Sequence, residues 1–166
     1  LQLSEEDIAS KTRRTNKYSI AKGKDRYDIE MYNEHSENIN EAFEEFHDMH
    51  RKVAGRETRN QKTWDLQKAS VIGGDDKTGR SFLIFIRDKA TGLLAGSALF
   101  DSTLQTGLYC VAAYDRSLFK QPVGHIVQAV AIDRMRSMGL RWYEIGERSY
   151  PGDRNVTEKL VNIKDI

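Results

Sequence analysis

Three polar side chains in the last third of the chain stand where chemistry can use them: His125, Gln128 and Glu144. Glu144 alternates with aromatic and apolar residues over Arg141–Ile145, a strand pattern with Trp142 and Glu144 on one face and Tyr143 and Ile145 on the other. A carboxylate in a central strand is costly to bury alone. Glu144 is therefore a general base or substrate-orienting group, or the ion-pair partner of an arginine such as Arg56 or Arg116. His125 and Gln128 fall in the first turn of a helix expected from His125 to Met138, the end at which the dipole favours an anion. Gln128 sits within an apolar stripe, where an unsatisfied amide costs about 1–3 kcal/mol, so it bonds to neighbouring backbone or contacts a ligand. Arg56 and Arg59, near Trp64, form either a docking site for a phosphate or carboxylate or an ordinary surface loop with Trp64 in the core. Tyr109, Tyr114 and Tyr150 are proton donors or packing groups.

The stretch Tyr109–Gly146 must hold these groups in place. It reads as a strand to Tyr114, a charged turn at Asp115 and Arg116, a lead-in Gln121-Pro122-Val123-Gly124, the helix, a glycine stop and a second strand. The helix core stripe is Val127, Ala131, Ile132, Met135 and Met138. A strand that feeds a helix start through small residues suits an anionic ligand, because unpaired N–H groups point out of the helix end.

The upstream chain supplies the wall around that opening. Ser4 and Asp7 make a capping-box pattern, with Gly23 as the stop of an opening helix rich in Lys11, Arg13, Arg14, Lys17, Lys22 and Lys24. That basic run is a solvated face or a surface for a polyanion such as a nucleotide or tRNA. Tyr27, Ile29 and Met31 alternate as a strand. Ile39, Ala42, Phe43, Phe46, Met49, His50 and Val53 make one helical stripe ended by Gly55, with His50 a core histidine or a ligand contact. A loop and short helix then run to Gly73, Gly74, Asp75 and Asp76. Phe82–Ile86 is an apolar run expected to be covered on both faces, and a hairpin at Asp88–Gly92 leads into Leu93–Phe100. Gly96, Ser97 and Ala98 invite close approach of a backbone or ligand. A third strand, Gly107–Tyr114, completes an antiparallel meander, and one strand-helix-strand crossover makes the arrangement α+β. Cys110 is read as a core residue of that strand.

Composition excludes several classes. The 166 residues carry 26 basic and 25 acidic side chains, a net charge of +1, so bulk charge does not argue for nucleic acid or an anionic membrane. One cysteine makes no internal disulfide, no Cys/His cluster has metal spacing, and a reducing, cytoplasmic compartment is the simplest expectation. No run approaches a membrane span. The chain opens on Leu1, which reads as a processed or excised piece of something longer.

The order of elements resembles a single acyltransferase domain of the GCN5-related N-acetyltransferase (GNAT) superfamily, in its FemAB-like branch of aminoacyl and acyl transferases. The stretches that carry this resemblance are Lys17-Tyr-Ser-Ile-Ala-Lys-Gly23, His50-Arg-Lys-Val-Ala-Gly-Arg56 with Thr58-Arg59, Ala113-Tyr-Asp-Arg116, Gly124-His-Ile-Val-Gln128 and Trp142-Tyr-Glu-Ile-Gly146. It implies an α+β GNAT-like acyl-CoA N-acyltransferase fold, a mixed, mostly antiparallel sheet flanked by helices. It also implies a basic N-terminal segment over residues 1–26 and one GNAT-like domain over 27–166, lacking a closing strand or a partner domain that would follow Val161–Ile166. A second GNAT-like domain or a homodimer would complete it.

The implied function is transfer of an N-acyl or aminoacyl group from a thioester or aminoacyl-tRNA to an amine on a small-molecule, glycopeptide or sugar-type acceptor of the cell envelope. His125, Glu144 and Tyr114 are then the catalytic candidates, with Arg56, Arg59, Trp64, Arg116 and Gln128 binding substrate. Acyl-CoA would meet Gln121 and Gly124; the superfamily's phosphate loop is Gln/Arg-x-x-Gly-x-Gly/Ala, and here Ile126 replaces its last small residue. No metal is expected. The alternative is a non-catalytic module of the same fold that binds a sugar nucleotide, glycopeptide or protein partner.

Overall fold

The computed structural model describes residues 1–2, 4–73 and 80–146. Tyr150, the segment Val161–Ile166 and the turn Gly74-Asp75-Asp76 lie outside the described residues. Five strands form one sheet in sequential order: β1 (Tyr27–Tyr32), β2 (Phe82–Asp88), β3 (Leu94–Ser102), β4 (Thr106–Tyr114) and β5 (Trp142–Glu144). The first three ladders are antiparallel and the last is parallel, so the meander and the single crossover expected from the sequence are both present. Helix α5 (Val123–Ser137), with α2 (Arg14–Arg26) packed on it, covers one face, and α3 (Ile39–Ala54) and α4 (Gln61–Ile72) cover the other.

The apolar run of β2 follows from this sandwich. Phe82, Ile84 and Ile86 pack beneath α5, while Leu83 and Phe85 pack beneath α3 and α4, and all five are buried. Helix α3 ends as its sequence predicts: Gly55 takes φ of 70° and returns its N–H to Arg51 O, a conformation that costs glycine little. Asn60 caps α4 by accepting from the Thr63 N–H. Arg87 ties three elements together, donating to Glu30 of β1 and, through both terminal nitrogens, to Glu45 of α3.

Three expectations need correction. The opening helix is two helices, because Ser4 caps only α1 (Glu5–Lys11) and the chain breaks at Thr12 before α2. Gly23 does not stop α2; it lies inside it, buried, where a Cβ would sit 2.2 Å from Ile126 Cδ1 of α5. Its small size sets the α2–α5 approach. Cys110 is exposed rather than core. Leu99 faces Val111 and Phe100 faces Tyr109, so Cys110 is the extra residue of a β-bulge and leaves the strand's alternation.

Candidate functional site

Strand β5 pairs with β4 only at Thr106, Gly107 and Leu108. From Tyr109 to Tyr114 the outer edge of β4 has no strand partner among the described residues, so the two parallel strands part there. Val123, at the start of α5, packs at the far end of this opening: a Cβ on Gly96, which pairs with Tyr114, would lie 2.6 Å from both Tyr114 Cδ1 and Val123 Cγ1. An unpaired strand edge thus runs toward a helix N-terminus.

Phenols line the α5 side of the opening. The hydroxyls of Tyr109 and Tyr114 are 2.9 Å apart, and Tyr143 of β5 donates to Gln128 Oε1 of α5. Burial raises the pKa of all three phenols, Tyr114 most, with Tyr109 and Tyr143 adding to its shift. Each phenol is therefore protonated near neutrality, which makes it a hydrogen-bond donor and not a base. Tyr143 was missed as a site residue in the sequence. Its signal was its place opposite Trp142 and Glu144, on the strand face that α5 covers. Gln128 bonds to a side chain, neither of the two partners expected, and with α5 starting at Val123 it stands one turn beyond the first.

The first turn of α5 fits an anionic group. No side chain caps it, and the N–H groups of Val123, Gly124 and His125 lack intrahelical acceptors. Nothing lies within 4 Å of where a Gly124 Cβ would be, and Gln121 Oε1 is buried without a hydrogen-bond partner. Ile126, which departs from the phosphate-loop pattern, is fully buried against Gly23 and does not fill this space. The residues present are compatible with a coenzyme A pyrophosphate at the helix end.

The remaining candidates are dispersed. His125 is exposed on the first turn, and Arg116 is exposed on a short 3-10 helix, Arg116–Leu118, just before it. Hydrogen bonds from Ser117 hold the Asp115 carboxyl below its usual pKa, and Lys52, near the end of α3, adds to this. Glu144 is exposed on β5, the last strand of the sheet among the described residues, level with Leu108, and has no partner among those residues; neither Arg56 nor Arg116 pairs with it. Six residues of β4 separate that level from Tyr114, about 20 Å along the strand. His125 and Glu144 are therefore not brought together.

Trp64 packs in the core between α3 and α4. It is buried, its Nε1–H donates to Glu57 Oε2 at 3.2 Å, and its ring meets Phe46, His47 and His50. Arg59 lies over the same ring and within 3.3 Å of His50 Nε2, so part of its guanidinium is engaged with the Trp64 cluster. Burial, then Arg59 and His47, lower the His50 pKa. The unfolded chain accordingly binds the His50 proton at a higher pH than the folded one. Stability is fully present above the ordinary histidine pKa of 6.5 and falls as pH drops below it. The unfolding midpoint in urea is expected to fall between about pH 7.5 and about pH 5, with a shallower slope in His50→Gln; equal slopes would remove His50 as the cause.

A larger hollow of about 550 Å³ lies between α1 and the far end of α5, lined by Glu5, Ile8, Asp133 and Arg136. It is an open cleft about 15 Å along α5 from the first turn, too distant to serve the opening. No helix among the described residues is long and apolar enough to cross a membrane, and no three described His, Cys, Asp or Glu side chains are grouped to hold a metal.

No family model and no curated protein matches this chain. Solved structures do. A FemX crystal structure aligns over 93% of this chain and 53% of its own at a TM-score of 0.66 and 11% identity. An aminoglycoside acetyltransferase from an uncultured soil metagenomic sample, in complex with sisomicin, aligns over 75% of this chain and 79% of its own, with a TM-score of 0.58 and 9% identity. The aminoglycoside N-acetyltransferase AAC(6')-Iy in complex with CoA aligns over 73% and 76%, with a TM-score of 0.54 and 10% identity. The chain thus spans about half the length of the FemX structure. It has the GNAT/FemAB-like fold.

Proposed function

We propose that this chain is an acyltransferase domain that passes an acyl or aminoacyl group to an amine. The observation that carries the proposal is the opening between β4 and β5, with an unpaired strand edge on one side, an uncapped helix start at its end and protonated phenols within. An extended acyl carrier can hydrogen-bond to the free edge of β4, as an added strand would. Acyl-CoA would be held by the N–H groups of Val123, Gly124 and His125 with Gln121 beside them, and would supply a thioester carbonyl. In the transfer the acceptor nitrogen bonds to the carbonyl carbon, the carbon–sulfur or ester bond breaks, and the leaving group takes up the proton released by the amine. Tyr114 and Tyr109, as neutral donors, orient or stabilise the oxygen that gains charge, and His125, on the first turn of α5, would accept the amine proton. Arg56 and Arg116 would anchor an anionic substrate. Glu144, level with Leu108, would bind the acceptor and not act as base.

The second donor, an aminoacyl-tRNA, is supported by the exposed basic side chains Arg14, Lys17, Lys22 and Lys24 of α2. In this reading residues 1–26 form a polyanion-binding segment on the domain at 27–166, and a second GNAT-like domain or a second copy completes the assembly. A cytoplasmic location accords with a single reduced thiol.

Thermal unfolding with acetyl-CoA, aminoacyl-tRNA and a sugar nucleotide tests the proposal. The donor is expected to stabilise the chain, by about 2.7 kcal/mol at a hundredfold excess over Kd. Gly124→Val has room to fold but fills the cradle, and should abolish stabilisation by acetyl-CoA. His125→Ala and Tyr114→Phe should slow transfer to an amine while leaving that stabilisation in place. Stabilisation by the sugar nucleotide with no transfer would identify the non-catalytic module instead; no response to either acyl donor would reject the proposal.

A further inference from the structure

On the opposite face from the phenols, α4 stands over β3 and β4 and leaves a cavity of about 200 Å³. Leu66, Gln67 and Ser70 line it from α4, with Leu99, Asp101 and Cys110 from the sheet. Its polar lining holds one acceptor without a donor and one that is weakly met. Gln67 Oε1 is shut off from solvent and receives no hydrogen bond. Asp101 Oδ1 accepts from Ser81 Oγ at 2.8 Å and from the Ser102 N–H at 2.7 Å, but Oδ2 is met only by Ser70 Oγ at 3.3 Å. Ser70 has one proton, and Ser81 Oγ lies in competition for it. No Lys, Arg or His among the described residues pairs with Asp101.

We infer that this cavity binds a primary ammonium group, held by Asp101 and Gln67, with the ligand's carbon body against Leu66 and Leu99. A carboxylate without a cation favours a positive charge, and the ammonium brings N–H groups that the Gln67 amide oxygen meets once its side chain turns toward the cavity. The bulge that turns Cys110 into the cavity wall puts the site beside the stretch of β4 whose outer edge is free. An ammonium on Asp101 has no lone pair for attack. In an acyl acceptor it is therefore the anchoring nitrogen, and a second amine is the one acylated. That last assignment rests on the acyltransferase reading; binding itself does not. Partial desolvation at the cavity wall and the Asp101 charge push the Cys110 thiol up to about 11, so Cys110 is no catalytic nucleophile and serves here as a slow-reacting reporter through its small thiolate fraction.

Cys110 is the only cysteine in the chain, so its reaction rate with a methanethiosulfonate reads the cavity directly. Cyclohexylamine, protonated near neutrality, and cyclohexanol present nearly the same ring with and without charge. Cyclohexylamine is expected to slow the reaction with a half-maximal concentration about tenfold below that of cyclohexanol, a difference that Asp101→Asn removes. Gln67→Leu, at a partly exposed helix position, provides a second variant should Asp101→Asn not fold, and should weaken the amine about threefold. Equal potency of the two compounds, no slowing by either, or an amine preference that survives the substitution would overturn the inference. None of these readouts needs acyl transfer, so their failure is distinct from failure of acetyl-CoA to bind.

Discussion

Replacing Trp64 by Ala should lower the free energy of unfolding by about 3–5 kcal/mol, a large part of the net stability of a domain this size. The ring is 2% exposed and fills the space between α3 and α4, meeting Phe46 edge-on at 6.1 Å and His47 at 4.1 Å. Its loss also leaves Arg59 without the ring beneath it and Glu57 without the indole N–H. Trp64→Phe keeps most of the apolar contact and should cost about 1 kcal/mol, the usual net contribution of one hydrogen bond. Urea unfolding measures both. The same variants separate a core residue from a ligand contact: a core Trp64 shifts the midpoint and leaves ligand affinity of the folded chain unchanged. A Trp64→Ala protein of native midpoint and weakened ligand binding would return Trp64 to the substrate site.

Gly96→Ala is expected to destabilise the fold by about 1–3 kcal/mol despite adding a single methyl group. The new Cβ would stand 2.6 Å from the Tyr114 ring and from Val123, a contact neither can accept in place. Tyr114 is held by its bond to Tyr109, and Val123 is buried in the first turn of α5. The strain therefore falls on the end of β4 and the start of α5, the two elements that frame the opening. Donor binding should weaken along with stability. Val123→Ala removes one of the two colliding groups, so the double variant should recover about 0.5 kcal/mol or more relative to additivity. A strictly additive double variant would show that β3 moves elsewhere to admit the methyl.

Much of the frame was legible because each signal was local. The α3 stripe with its Gly55 stop, the doubly covered β2 and the Asp88–Gly92 hairpin depend on spacing that the backbone turns directly into a face or a turn. The α+β order followed from strand runs joined by short links. The α5 first turn was legible as a helix start with free N–H groups for the same reason, since a helix end exposes them whatever surrounds it.

Other features depended on packing partners distant in sequence. Gly23 has the composition of a helix stop, and only its contact with Ile126, about a hundred residues later, makes it a packing glycine. Ile126 looked like an obstacle in the phosphate loop until the same contact turned its side chain into the core. Glu144 carried weight as a carboxylate in a strand; that its side chain is exposed and without an arginine partner among the described residues is something alternation does not encode. Cys110 followed the apolar pattern of β4 and was moved out of it by one bulge, a register choice made between two strands.

What the amino-acid sequence determined alone was most of the elements, their order and the uncapped start of α5, because propensity, capping and periodicity act within a few residues. Only the tertiary structure decided which polar groups meet. It joined Tyr109 to Tyr114 and Tyr143 to Gln128, packed Trp64 and Arg59 against His50, and set Asp101, without a cation, in one cavity lining with Gln67. The reason is physical: whether a polar side chain is a structural bond or an open binding group depends on what lies across the fold from it.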